Sequence, residues 1–200
     1  MENLIDLDKK LLVYLNGLHV DWLDPIMLQL TKTQFWIPLY LFLIYLIFKN
    51  FSTRGWLILA GATLSILLAD QITSTLMKPF FARLRPSQEP SLQGIVHLVN
   101  DYKGGLYGFA SSHAANTFAT ALFVWLLFRK KYKWIVFVFA WAILMTYTRI
   151  YLGVHYPGDI LVGGIVGLLS GWAGFCFYQF LDRRVKSLKL DTEETENKTT

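Results

Sequence analysis

Cysteine is almost absent from the 200 residues: Cys176 is the only one. With no second cysteine it forms no intrachain disulfide, and inside an apolar run it reads as a small apolar packing residue. The chain also lacks an internal repeat, a recognisable nucleic-acid-binding module, a Walker-type phosphate loop and an obvious carboxylate cluster for magnesium. The net charge of +5 is therefore not read as affinity for nucleic acid. A basic start is missing too, because Glu2 and Asp6 stand where a cleavable signal peptide places positive charge.

What the chain has in excess is apolar surface. It is 54% hydrophobic and 16% aromatic with a mean hydropathy of +0.39, whereas soluble domains are roughly 45–50% apolar even with glycine included. The apolar residues gather in runs over Phe35–Phe48, Trp56–Ala69, Thr117–Phe128, Trp134–Tyr147 and Ile160–Leu181. Each can be extended to the roughly 17–25 residues of a membrane-spanning helix. This predicts an all-α, polytopic transmembrane helix bundle of five spans over residues 35–186. Residues 1–34 differ, because Asp6, Asp8, Lys9 and Lys10 interrupt the pattern and Asp21, Asp24 and Pro25 break it again. Leu4, Leu7, Leu11, Leu12 and Leu15 lie near helical spacing, which suits amphipathic helices resting in the headgroup region. A sixth span there is disfavoured, since each unpaired charge at a helix centre costs roughly 2.5–3.5 kcal/mol. Residues 187–200 are polar, with Asp191, Glu193, Glu194 and Glu196, and read as a disordered tail.

Orientation follows from lysine and arginine. Lys49 and Arg54 follow the first run, Arg129, Lys130, Lys131 and Lys133 the third, and Arg183, Arg184 and Lys186 the fifth. These connections are expected in the cytoplasm, which places Lys78–Ser112, 151–158 and the N-terminus on the opposite face.

Against that pattern, the second connection opens with Lys78, Arg83 and Arg85 on the face that should be poor in positive charge. A helix continuing from Lys78 to Arg85 would put the two about two turns apart on one face, closed by Pro86. Lysine as a point charge and arginine as a planar fork together suit a phosphoryl group; headgroup anchoring by snorkelling is the plainer reading. Next comes Ala110-Ser111-Ser112-His113, preceded by Gly104, Gly105 and Gly108 and followed by an apolar helix. Free amides at such a junction favour an anion, although Ser111 or Ser112 equally suits a plain N-cap. His113, in the first turn, is placed to give a proton to a leaving oxygen. Last come Thr148-Arg149 and His155 to Asp159, with Pro157 and Gly158 between the latter pair. Arg149 ends an apolar run, where ionisable residues are functional candidates. A carboxylate on one nitrogen of His155 would fix its tautomer and leave the other nucleophilic; otherwise Asp159 merely caps the last helix.

These three segments resemble the type 2 phosphatidic acid phosphatases, a family that includes lipid phosphate phosphatases and relates to vanadium haloperoxidases. Its lysine, six residues and Arg-Pro match Lys78 to Pro86; its Pro-Ser-Gly-His corresponds to Ala110–His113; its Ser-Arg, five residues, His, three residues, Asp corresponds to Thr148–Asp159. The departures are Ala110 for proline, Ser112 for glycine and Thr148 for serine. The resemblance implies that His155 forms a phosphohistidine, Asp159 orients it and His113 protonates the leaving group. Lys78, Arg85, Ser111, Ser112 and Arg149 would hold the phosphate, with no metal and no cofactor. The expected partners are a lipid phosphate and the bilayer, in the cytoplasmic (inner) membrane with the site on the periplasmic or extracellular face. Undecaprenyl pyrophosphate is the favoured substrate by analogy; phosphatidic acid, phosphatidylglycerol phosphate and lipid A are alternatives. A transporter or binder of lipid phosphate would share the cations without needing His155, and a vanadium-dependent oxidase suits a membrane-buried site poorly.

Overall fold

The computed structural model describes residues 2–199, with side chains described for residues 3–188. Two short helices open the chain, α1 (Glu2–Asn16) and α2 (Asp24–Leu30), before α3 (Ile37–Phe51) and α4 (Gly55–Asp70). A wide π-helical stretch, Gln71–Met77, leads into the single turn α5 (Lys78–Phe81). After a long connection come α6 (Ser112–Phe128), α7 (Phe137–Tyr151) and α8 (Pro157–Thr199). Apart from one antiparallel bridge between Leu84 and Tyr107, the described residues are helix, turn or loop. The all-helical expectation therefore holds.

Three helical segments are long and apolar enough to cross a membrane: Thr33–Phe81, Lys133–Tyr151 and Pro157–Leu188. Ser112–Phe128 is apolar but shorter. The first segment is broken at Ser52, whose φ of 48° and ψ of −130° end α3. Proline sets several starts: Pro25, Pro38 and Pro157 sit in the first turn of α2, α3 and α8, where a missing N–H costs nothing. Pro79 has a different effect, because inside a continuing helix it removes a hydrogen bond. The π-helical stretch just before it is a geometry that absorbs such a break.

The close contact between α6 and α8 comes from a stripe of small residues. Gly163, Gly167 and Gly171 lie against the carbonyl oxygens of Ser111, Ala115 and Ala119, and a Cβ at any of the three would overlap them. Four-residue spacing on both helices keeps them in step, as small residues allow at membrane helix interfaces. Larger side chains fill the half of the bundle away from α1, with Phe123, Phe128, Ile135, Trp141 and Met145 in one buried cluster.

The two ends of the bundle are tied differently. At one end Tyr132 donates to Asn50 (3.1 Å) and Arg54 pairs with Asp182 (3.8 Å), which joins the three basic connections. At the other, Asn16 Nδ2 donates to the carbonyls of Ile150 (3.2 Å), Tyr151 (2.8 Å) and His97 (3.1 Å). Leu12 is fully buried there, while Leu4 and Leu7 are exposed, so α1 presents one face to the protein. The backbone of α8 stays helical to Thr199; the disorder expected over 187–200 falls, from 189 on, outside the described side chains.

Candidate active site

The first cation segment differs from the sequence expectation. The helix carrying Lys78 stops at Phe81 because Ala82 adopts a left-handed conformation (φ 45°). Arg85 is extended (φ −68°, ψ 155°), so Lys78 and Arg85 do not share a helix face. The cause is Pro86, whose ring disfavours helical geometry in the residue before it. Arg85 reaches the site instead from a loop held by its own N–H on the Leu106 carbonyl (3.1 Å) and by Gly108 N–H on the Arg83 carbonyl (2.9 Å).

This loop brings Arg85 onto His155. Nη1 of Arg85 lies 2.9 Å from His155 Nε2 and 3.1 Å from the Val154 carbonyl. Arginine can only donate, so Nε2 accepts and the ring proton resides on Nδ1. That Nδ1 faces Asp159 Oδ2 at 3.3 Å across the start of α8. Gly108 is closely fitted here, since a Cβ would stand 3.0 Å from Asp159 Oδ2 and 3.2 Å from Arg85 Cγ. His155 is only 1% exposed. Burial, followed by the charges of Arg85, Arg149 and Lys78, holds it well below the usual imidazole value, so it is neutral at pH 7. Arg85 falls to about 10 through burial and Arg149 and keeps its charge.

Asp159 has further partners, Arg83 and the Tyr156 N–H, that its motif does not specify. Oδ1 accepts from Arg83 Nη1 (2.9 Å), and Oδ2 from the Tyr156 N–H (3.0 Å). Arg83 also donates to Asp8 of α1 (2.8 Å) and covers the Tyr156 ring at 3.8 Å. Asp8 in turn accepts from the Gly158 N–H (2.8 Å), capping the first turn of α8. The N-terminal helix therefore holds the carboxylate that holds the histidine. One signal was available: Arg83 shares the unexpected positive charge of the Lys78–Arg85 segment.

Arg149, 2% exposed, donates to Thr31 Oγ1 (2.6 Å) and to the Tyr102 hydroxyl (3.3 Å). Neither partner had a sequence signal, because both are brought in by tertiary packing. The Nε atoms of Arg85 and Arg149 are buried with no hydrogen-bond partner among the described residues. His113 lies in the first turn of α6, within electrostatic reach of Arg149, His155, Arg85 and Lys78.

The two serines part company. Ser111 is the N-cap of α6, its Oγ accepting from the Ala114 N–H (3.4 Å), and its own N–H binds the Asp159 carbonyl (3.0 Å). Ser112 uses its hydroxyl: it bonds Lys78 Nζ, Thr73 (3.0 Å) and Ser74 (2.8 Å), and Ser74 donates to Asp70 (3.1 Å). The side chain that replaces the family glycine thus takes up the ammonium of Lys78. Among the described residues no three His, Cys, Asp or Glu side chains group as a metal site.

The chain is similar to known proteins over most of its length. The sequence profile of the PAP2 superfamily fits residues 55–183. The chain is 40% identical over 195 residues to a lipid A 4'-phosphatase of Bacteroides thetaiotaomicron, covering 96% of this chain and 84% of that protein. It is 36% identical to a lipid A 4'-phosphatase of Porphyromonas gingivalis, over 92% and 78% of the two chains. Among solved structures it is similar to that of Aquifex aeolicus LpxE, with a TM-score of 0.65, 26% identity and coverage of 84% of this chain and 94% of that one. The chain belongs to the PAP2 superfamily and is an integral membrane phosphatase, a hydrolase of phosphoester bonds.

Proposed function

We propose that the chain removes phosphate from a lipid A-type substrate through a phosphohistidine intermediate, without a metal ion. The chemistry rests on one observation above all: His155 is clamped between Asp159 at Nδ1 and Arg85 at Nε2, which leaves Nε2 with the lone pair. Phosphate oxygens draw the Arg85 guanidinium off Nε2 and engage the Nε atoms of Arg85 and Arg149. His155 Nε2 then attacks phosphorus, the bond to the lipid alcohol breaks, and His113 gives its proton to the departing oxygen. Water, losing a proton to His113, attacks the phosphohistidine and releases phosphate, which returns both histidines to their starting state. Lys78, Arg85, Arg149 and the first amides of α6 stabilise the charge on the equatorial oxygens. Ser111 contributes by holding that turn, Ser112 through its N–H.

For the substrate, the isoprenoid diphosphate favoured from the sequence gives way to its alternative. Support comes from two relatives named for lipid A, which match more than nine-tenths of this chain. The accompanying topology has five spans, α3, α4 with its extension to Phe81, α6, α7 and α8, with α1 and α2 in the interface. The basic connections face the cytoplasm, and the site faces the periplasm.

Purified protein in detergent with excess EDTA is expected to release phosphate from lipid A in preference to undecaprenyl pyrophosphate and phosphatidylglycerol phosphate. His155→Ala should lower turnover by roughly a thousandfold or more, and acid-labile label from 32P-substrate should be lost with it. Release that needs a divalent cation, or that persists in His155→Ala, would defeat the mechanism; a clear preference for undecaprenyl pyrophosphate would defeat the substrate.

A further inference from the structure

His113 borders two cavities of different character. One, about 340 Å³, is bordered by Tyr40, Ile66, Thr117 and Met145. The other is a cleft of about 640 Å³ whose polar walls are Lys32, Gln34, Asn100, Asp101 and Lys103. These five residues are exposed, and none of the salt bridges among the described residues engages Lys32, Asp101 or Lys103.

The walls of the cleft come from two places, the segment joining α2 to α3 and the turn at Val99–Asp101 with the residues after it. Arg149 pins both. Its Nη1 binds Thr31, next to Lys32, and its Nη2 binds Tyr102, between Asp101 and Lys103. One guanidinium therefore fixes the cleft relative to the phosphate-binding groups.

The mixture of groups is informative. Two amides, two ammoniums and a carboxylate offer donors and acceptors side by side, which suits a ligand with many hydroxyls. Asp101 offsets the charge of one of the two lysines, so the cleft is less suited to a second phosphate than a purely cationic one would be. A plain hydrocarbon chain would have no use for any of the five. The volume falls in the roughly 300–1,000 Å³ range of small-ligand sites.

If His113 protonates the leaving oxygen, the alcohol that leaves lies beside His113. We propose that the cleft formed by Lys32, Gln34, Asn100, Asp101 and Lys103 is a carbohydrate subsite, holding the sugar to which the reacting phosphate is esterified. The proposal deepens, and rests on, the lipid A-type reading above. The subsite would separate glycolipid phosphates from prenyl diphosphates and glycerophospholipids, which share the phosphate but bring no sugar.

The test uses the full chain in detergent, with wild type, Gln34→Ala, Lys103→Ala and the double variant. Two substrates are compared: a phosphorylated, acylated glucosamine disaccharide and phosphatidic acid. In a second arm the same glycolipid without phosphate is titrated as an inhibitor of phosphatidic acid hydrolysis. The double variant should lose about tenfold in kcat/KM on the glycolipid, mainly through KM, and stay within about twofold on phosphatidic acid. Inhibition by the phosphate-free glycolipid should weaken in parallel. Equal losses on both substrates, or no loss on the glycolipid, overturn the subsite. A wild type that does not dephosphorylate the glycolipid, yet is inhibited by its phosphate-free form in a way the variants lose, overturns the lipid A reading and keeps the subsite. A wild type neither processing nor inhibited by glycolipid overturns both.

Discussion

The half of the bundle around Phe123 and Trp141 and the end that carries His155 are built on opposite principles. In the first, apolar side chains and the glycine seam of α6 and α8 fill space with few directed bonds. In the second, Arg83, Arg85, Arg149, His155 and Asp159 are brought together by hydrogen bonds from five separate segments. The difference teaches how a membrane protein keeps charge buried. Lipid supplies no hydrogen bonds, so a buried charged side chain is held by partners within the protein, and the packed half keeps those partners still. Ser111 connects the two, because it faces Gly163 in the seam and caps the helix that opens the site.

The largest expected effect comes from forcing the seam apart. Gly167→Leu places a side chain where the Ala115 carbonyl stands; overpacking of this kind costs about 1–3 kcal/mol or more. Thermal unfolding in detergent should show a large loss, with activity falling alongside. Unchanged stability would mean the two helices can separate without cost.

Breaking the polar end should act on chemistry more than on fold. Arg83→Ala removes the partner of Asp8 and of the fully buried Asp159. A fall in kcat of about tenfold, equivalent to about 1.4 kcal/mol, is expected with KM little changed. Asp8→Asn should show a weaker version of the same fall. An Arg83→Ala enzyme with wild-type kcat would remove α1 from the support of the site.

A third prediction concerns protonation. Burial and three cations depress the His155 value, so the folded protein resists protonating it. Its contribution to stability is full above the usual imidazole value of 6.5 and declines as pH falls below that point, where the unfolded chain takes up the proton first. In 15N-histidine spectra of substrate-free protein, His155 should remain neutral, with its proton on Nδ1, at about pH 6. A His155 already half protonated there would contradict the arrangement with Arg85.

The smallest effect is expected at Ser112. Ser112→Gly removes a hydroxyl that binds Lys78 but keeps the N–H of the turn. KM should change by only a few-fold, about 1 kcal/mol or less for one hydrogen bond exchanged for another. A loss of orders of magnitude would show that the hydroxyl itself contacts substrate.

Much of this site was legible because its residues are chemically conspicuous in their surroundings. Lys78, Arg85 and Arg149 stand out as cations at the ends of apolar runs, and His155 and Asp159 flank a Pro-Gly break. The extended form of Arg85 was legible too, in Pro86, but a helix was expected there. Thr31, Tyr102 and Asn16 were not legible. Ordinary polar residues acquire a role only from what folds against them, and Asn16 serves three carbonyls more than 80 residues away.

The sequence by itself determined the all-helical class, the membrane and the three motifs, since hydropathy and spacing are local properties. It also held the glycine stripe of α8 in plain view, at four-residue intervals. Only the tertiary structure decided that α1 reaches His155 through Asp8, Arg83 and Asp159, and that Ser112 takes up Lys78. It alone placed the polar cleft against His113. These are meetings of residues far apart along the chain, set by tertiary packing and by the need of buried polar groups for hydrogen-bond partners.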